Sequence, residues 1–358
     1  MLFDRFSARS LHLANHVVMA PMTRSRATPQ HTPDALMATY YGQRATAGLI
    51  IAEGTSPSPN GLGYPRIPGL YDAAQVTAWK ESTTAVHAHG GKIFVQLMHC
   101  GRVAHVANLP AGAEVLGPGA AVCPGEMYTD TQGMQPHSAP RAMTQADIDH
   151  AVREYATSAK LALEAGFDGV ELHGANGYLI EQFLNPIVNL RTDGYGGSIE
   201  GRNRFALEVA RAAVAAVGRD RVGIRLSPYG VFNGTGEFPE VQTQTLALAK
   251  SLSALGLLYV HLVDHEAMGA PPVPAEFKLK LRAGFDGLFI LSGGFDHASA
   301  EQALVDKRAD LVAFARAFLA NPDLVARMRL NAPLNPPDMA TFYVPGAKGY
   351  TDYPALPA

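Results

Sequence analysis

Eight short apolar runs, most of them rich in β-branched residues, recur along the chain with helix-forming segments between them. They are NHVVMAP (15–21), GLIIAEG (48–54), KIFVQLM (92–98), GVELHG (169–174), VGIRLSP (222–228), LLYVHLVD (257–264), GLFILSGG (287–294) and DLVAFARA (310–317). Continuous apolar runs of this length suit strands buried on both faces, the condition of a parallel sheet covered by helices. Strict strand–helix alternation, eight times over, predicts an α/β protein whose sheet closes into a (β/α)8 TIM barrel. The rival is an open doubly wound sheet, which would carry a Gly-x-Gly-x-x-Gly turn after an early strand. The first run ends instead in Ala20-Pro21-Met22-Thr23.

The segments between the runs carry helix punctuation. Thr32-Pro33-Asp34 sets a capping hydroxyl before a proline at the first helical position. Thr144 followed by Asp147 resembles a capping box with Asp in place of Glu, opening a helix that runs to about Ala165. Gly90, Gly166, Gly218, Gly256 and Gly284 each sit between a helical stretch and a strand, where a left-handed residue commonly ends the helix. AGFDGVELHG (165–174) returns as AGFDGLFILSG (283–293), a weakly repeated helix–turn–strand unit. Segment 99–143, rich in Gly and Pro, is too long for a plain connection and reads as a lid over the barrel mouth. Nothing divides residues 1–358 into two domains.

Composition narrows the function classes. The 29 Lys+Arg nearly balance 32 Asp+Glu, for a net charge of −3, and no basic patch marks a nucleic-acid partner. Two cysteines, Cys100 and Cys123, cannot make a disulfide framework, a four-Cys zinc site or an iron–sulfur cluster. The N-terminus has no signal-peptide pattern and no apolar run reaches the ~20 residues that span a bilayer, so a soluble, cytoplasmic protein with no membrane partner is expected.

In such a barrel the chemistry sits at the C-terminal strand ends. Strand one offers Pro21, Met22 and Thr23, strand two Glu53 and Gly54, and strand three Gln96, Met98 and His99. Strand four offers His173, Asn176 and Tyr178, strand five Arg225, strand seven Gly293 and Gly294, and strand eight Arg316. A Gly-Gly turn beside an arginine suits a phosphate, since close backbone N–H groups and a guanidinium fork both bind its oxygens; the bland alternative is a tight turn and a surface arginine. Arg225 inside an apolar strand requires an anionic partner, either a core carboxylate such as Glu171 or the edge of an anionic cofactor. Gln96 needs pairing too, from a flat heterocycle or from an internal network with Arg225. His173 and Asn176 can converge on one acceptor, and Tyr178 is a weak acid able to protonate a carbanion. His99 and His261 read as core histidines. No His and carboxylate cluster has metal-ligand spacing, so no metal site is expected.

Taken together, the motifs resemble the Old Yellow Enzyme family of flavin-dependent ene-reductases over nearly the whole chain. NHVVMAPMTRSRA (15–27), YYGQRATAGLIIAEGT (40–55), VQLMHCGRVAH (95–105), DGVELHGANGYLIEQFLNPIVNLRTDGYGGSIEGRNRF (168–205), VAFARAFLANPDL (312–324) and GYTDYP (349–354) follow in the family's order. The resemblance implies a barrel that binds FMN noncovalently, reduced by NADPH or NADH. Its substrates would be small electron-poor alkenes: α,β-unsaturated carbonyls, maleimides and nitroalkenes. On the matching positions, Pro21, Met22 and Thr23 would border the flavin, with Thr23 tuning its potential. Gly54 would approach it through the backbone and Gln96 would meet its pyrimidine end. Arg225 would offset charge on the reduced ring, and Gly293, Gly294, Ala315 and Arg316 would hold the phosphate. His173 and Asn176 would hold the substrate's activating oxygen and Tyr178 would donate the proton. Met98 and Tyr350 would line the substrate pocket.

Some positions depart from the pattern. Met98 stands where many members have Trp, and Ala315 replaces a Gly before the phosphate arginine. Asn176 completes a His/Asn pair where others have His/His, and Thr23 stands where another branch has Cys. The competing readings are a flavin-binding stress or sensor protein with little turnover, a metal-dependent barrel hydrolase, and a larger dienoyl-type reductase, which would need an iron–sulfur domain. The physiological substrate, the choice between NADPH and NADH and the oligomeric state are left open.

Overall fold

The computed structural model describes residues 1–357. Its centre is a closed barrel of eight parallel strands: Val17–Met19, Leu49–Thr55, Ile93–Leu97, Gly169–Gly174, Val222–Leu226, Tyr259–Val263, Leu288–Ser292 and Leu311–Phe314. Each pairs with the next in sequence and the eighth closes on the first. All eight expected strands are therefore present, inside the expected boundaries save that strand two runs one residue further. The eighth is shorter than its apolar run, and Arg316 opens a short helix, Arg316–Ala320.

Two apolar layers hold the barrel. Inside it, Val18, Leu49, Ile51, Phe94, Tyr259, Ile290 and Leu311 form a cluster closed by Leu11 and Leu13. These two leucines lie on an antiparallel hairpin, Phe6–Ala8 with Leu11–Leu13. Arg9 ties the hairpin to the carbonyls of Gly256 and Leu257, at the N-terminal end of strand six. The hairpin is thus the floor, and the opposite end is free for a site. Outside, the other face of each strand packs on the helices around Trp79, Tyr155, Phe183 and Phe205. The interior changes character with height: Gln96, Glu171, Arg225 and His261 are all buried above the apolar floor.

Local punctuation differs from expectation at two places. The helix Ala35–Gln43 is capped by Asp34, whose carboxylate accepts from the N–H of Met37, so Thr32 and Pro33 lie outside it. A carboxylate next to the helix N-terminus serves both the orphan N–H groups and the helix dipole. Gly90, Gly166, Gly218 and Gly256 take positive φ, whereas Gly284 ends its helix at φ −88°, a conformation open to any residue. Thr144 and Asp147 do form a reciprocal box on Gln145–Glu164. Segment 99–143 is partly structured, with Leu116–Gly117 beside Arg141–Ala142 and a hairpin of Glu126–Thr129 with Gly133–Pro136. Among the described residues no helix is long and apolar enough to cross a membrane.

Gly223, on strand five, shows how tightly the interior is filled. A Cβ there would lie 2.2 Å from the ring of Tyr259, its register partner on strand six. Gly223→Ala is expected to destabilise the fold by about 1–3 kcal/mol, the usual cost of overpacking, with the loss read as a lower denaturant midpoint. An unchanged midpoint would mean that the ring moves freely.

Candidate active site

At the C-terminal end of the barrel lies a cavity of about 1460 Å³. Small-molecule pockets usually reach about 1,000 Å³, so there is room for a cofactor and a second reactant together. Strand one brings Pro21, Met22 and Thr23 to the wall, and strand three brings Gln96 and, just beyond its end, Met98. His173, Asn176 and Tyr178 come from the end of strand four and the turn after it, Arg225 from strand five. Gly293 and Gly294 follow strand seven, and Ala315 and Arg316 follow strand eight. Thirteen residues singled out from six strand ends therefore meet at one cavity.

Two of the expected residues do not. Gly54 lies behind Met98, where a Cβ would come within 2.5 Å of the Met98 sulfur. Strand two has a register irregularity between Ala52 and Thr55, and the absence of a side chain lets Met98 pack against it. Tyr350 is wholly buried, stacked on Tyr40 with ring centroids 4.1 Å apart, and Arg24 and Arg26 lie over its face. It anchors the C-terminal segment instead of lining the pocket. Within the C-terminal segment, the tyrosine that reaches the wall is Tyr343, seven residues earlier, with Phe342 beside it.

The floor of the cavity is cationic. Arg225 is 7% exposed, and its one side-chain hydrogen bond, from Nη2 to Ser292 Oγ, is long at 3.5 Å. Its Nε has no partner among the described residues. Burial lowers its pKa, while the charge of Glu171 raises it. Glu171 is not hydrogen-bonded to Arg225; its oxygens accept from Gln96 Nε2 and pair with His261 Nδ1, each at 2.8 Å. Gln96 is thus tied to Glu171 rather than to Arg225. An unsatisfied buried guanidinium is costly, so Arg225 is built to receive an acceptor from the cavity.

The turn after strand four is held in an unusual shape. Asn176 has φ 61° and Gly177 has φ 78°. A Cβ on Gly177 would lie 2.6 Å from the Phe232 carbonyl oxygen. The Asn176 N–H donates to Ser227 Oγ, Ser227 donates to Glu181, and the Gly177 N–H donates to the other Glu181 oxygen. Burial pushes the Glu181 carboxyl up to about 8, even with these donors on it. This turn fixes the main chain of Asn176 and starts the short helix Leu179–Leu184 immediately after Tyr178.

Burial, with smaller contributions from Arg225, His261 and His265, holds His173 well below the usual imidazole range. It is therefore a neutral ring at neutral pH, and its Nδ1 lacks a partner among the described residues. Burial holds Tyr178 well above the usual phenol range, so it keeps its proton. Its hydroxyl donates to Tyr64 at 3.2 Å, and its ring meets that of His173 edge-on with centroids 4.9 Å apart.

The turn at Gly293 and Gly294 takes φ 130° and 69°, and a Cβ on Gly293 would lie 2.1 Å from the Asp264 carbonyl oxygen. Only glycine fits at position 293, and the turn lines the cavity together with Arg316. Ala315, with φ −101°, takes an ordinary sign of φ, so a side chain is tolerated there. His99, by contrast, is a core residue: its Nδ1 accepts from the Gly101 N–H, and burial lowers it to about 3. Among the described residues no group of three or more His, Cys, Asp or Glu is placed to hold a metal ion.

The sequence reading missed Tyr64, Glu181, Ser227 and Tyr343. Glu181 could have been found as the one charged residue, four residues after Gly177, in a mostly apolar segment (LIEQFL). No comparable signal marks the other three.

A closed barrel with a cation beneath its cavity, a glycine turn and arginine at strands seven and eight, and a neutral imidazole–amide–phenol group above defines a flavin-dependent oxidoreductase. Residues 1–335 match the model of the NADH:flavin oxidoreductase / NADH oxidase family, and the chain belongs to that family. It is similar to chanoclavine-I aldehyde reductase of Penicillium roqueforti, 44% identical over 98% of this chain and 95% of the relative. Among solved structures, morphinone reductase superposes with a TM-score of 0.95 at 45% identity, covering 99% of this chain and 96% of that one. An Old Yellow Enzyme homologue from Zymomonas mobilis gives 0.95 at 38% identity, covering 99% of both chains.

If Arg316 binds a cofactor phosphate, Arg316→Ala is expected to weaken FMN binding about tenfold, as for loss of a charge-assisted hydrogen bond, and to leave riboflavin binding unchanged. Fluorescence titration of the apoprotein with each flavin checks this. Equal weakening of both would assign Arg316 a purely structural part.

Proposed function

We propose that the chain is an NAD(P)H-dependent, FMN-containing ene-reductase acting on the C=C bond of electron-poor alkenes. The observation that carries this reading is one cavity with the underpartnered Arg225 guanidinium on its floor and His173, Asn176 and Tyr178 on its wall. The residues present fit FMN. Arg225 offers free donors to an electron-rich ring edge, Gln96 offers an amide to a heterocycle, and Gly293, Gly294 and Arg316 suit a phosphate. Pro21, Met22 and Thr23 complete the wall.

When bound, FMN supplies the redox chemistry, accepting hydride from NADPH or NADH and passing it to the alkene. His173 and Asn176 donate hydrogen bonds to the carbonyl, imide or nitro oxygen, drawing electron density from the β-carbon. A neutral His173 serves this better than a charged one, since it needs no counter-ion in a buried site. The α-carbon takes its proton from Tyr178 Oη, and the resulting phenolate recovers one from solvent, with the Tyr64 hydroxyl next to it. Both reactants use the same cavity in turn, which leads to ping-pong kinetics. Met98 and Tyr343 shape the substrate's side of the space. The 99–143 segment acts as a lid, its hairpin contributing Met127, Tyr128 and Met134 to the wall.

Oxidation of NADPH by the purified protein is expected to depend on an added enone, whereas a flavin sensor would show no such turnover. Tyr178→Phe is expected to slow alkene reduction about 10²-fold or more while reduction of the bound flavin by NADPH persists. Stopped-flow traces of the two half-reactions separate these. Alkene reduction at the parent rate would remove Tyr178 as the proton donor.

A further inference from the structure

One buried acid inside the barrel has no part in the chemistry above. Glu171 is completely buried on strand four, opposite Gln96 on strand three and Gly223 on strand five. Gln96 Nε2 lies 2.8 Å from its Oε1, and His261 Nδ1 lies 2.8 Å from its Oε2. Arg225, two residues beyond Gly223, feels its charge without a hydrogen bond to it.

A carboxylate only accepts hydrogen bonds. It therefore selects the orientation of the Gln96 amide, with NH2 toward Glu171 and the carbonyl oxygen left for other partners. It also selects the His261 tautomer, with the proton on Nδ1, which is consistent with a buried Nε2 that has no partner among the described residues. At the same time it offsets Arg225 at a distance and leaves that guanidinium's donors free for the cavity. Two residues on the cavity wall, Gln96 and Arg225, are thus governed by one acid that does not itself line the cavity.

We propose that Glu171 is a positioning residue for the flavin: it fixes the Gln96 amide that faces the ring and offsets Arg225, and so lowers the reduction potential of the bound cofactor. This rests on the reading that the cavity holds FMN. Removing the negative charge leaves Arg225 uncompensated beneath the ring, which favours the reduced, more electron-rich form. The charge acts in a water-poor interior, where screening is weak.

The test is a redox titration of the holoprotein and its Glu171→Gln variant, with FMN affinity measured alongside. The expected result for Glu171→Gln is a clear positive shift of the flavin midpoint potential. Glu171→Asp keeps the charge but withdraws the carboxylate from Gln96; it is expected to hold a potential near that of the parent and to bind FMN several-fold more weakly. If Glu171→Gln fails to fold, the Asp variant decides, because parent-like FMN affinity there overturns the positioning of Gln96. A folded Glu171→Gln protein with FMN bound at the parent potential overturns the proposal outright. A parent protein that takes up no FMN fails the functional reading instead, so the two failures are distinguishable.

Discussion

The structure depends on a guanidinium kept inside a barrel. Stripping a charge of its water costs several kcal/mol unless the interior repays it. Around Arg225 the repayment is partial: a long contact to Ser292 and the field of Glu171 at one remove. That arrangement explains why polar residues occupy strands that otherwise read as continuous apolar runs. Gln96 and His261 are both hydrogen-bonded to Glu171, and the Nε of Arg225 is left without a partner among the described residues. The apolar floor below and the cavity above give this layer its direction, so that the unused donors belong to the end of the barrel where the loops gather.

A second constraint is rigidity at the strand-four turn. Positive φ at Asn176 is tolerated because the surroundings hold the turn: Ser227 and Glu181 take its N–H groups, and Asn233 Nδ2 donates to the Asn176 carbonyl oxygen at 2.7 Å. Strain of this kind persists only where the neighbourhood over-determines it, and it gathers at functional sites. Here it sets the amide, imidazole and phenol on one wall of the cavity.

Most of this architecture was legible in the sequence. The strands could be read because burial on both faces demands unbroken apolar runs, and the wall residues could be read because a parallel barrel exposes the same end of every strand. The misreadings have physical causes. At Thr32-Pro33-Asp34 two capping residues flank a proline, and the carboxylate captured the Met37 N–H. Gly284 sits at a helix end that needs no left-handed residue. Gly54 and Tyr350 were assigned by resemblance, and packing decided otherwise. The Met98 side chain fills the space above Gly54, and the aromatic face of Tyr350 is taken by Tyr40 and two arginines. Tyr343 could not be told from Tyr350, because which tyrosine of a terminal segment reaches a cavity depends on how far upstream the segment is anchored. Glu171 was visible as a possible partner of Arg225, yet its actual partners follow from inter-strand register, which no single run displays.

The unpartnered Arg225 calls for an electron-rich acceptor in the cavity. The visible absorption spectrum of the protein as purified, before any addition, tests this most directly. The predicted result is a yellow protein that releases close to one equivalent of FMN per chain on denaturation. A colourless protein that binds no FMN when offered it would contradict the account.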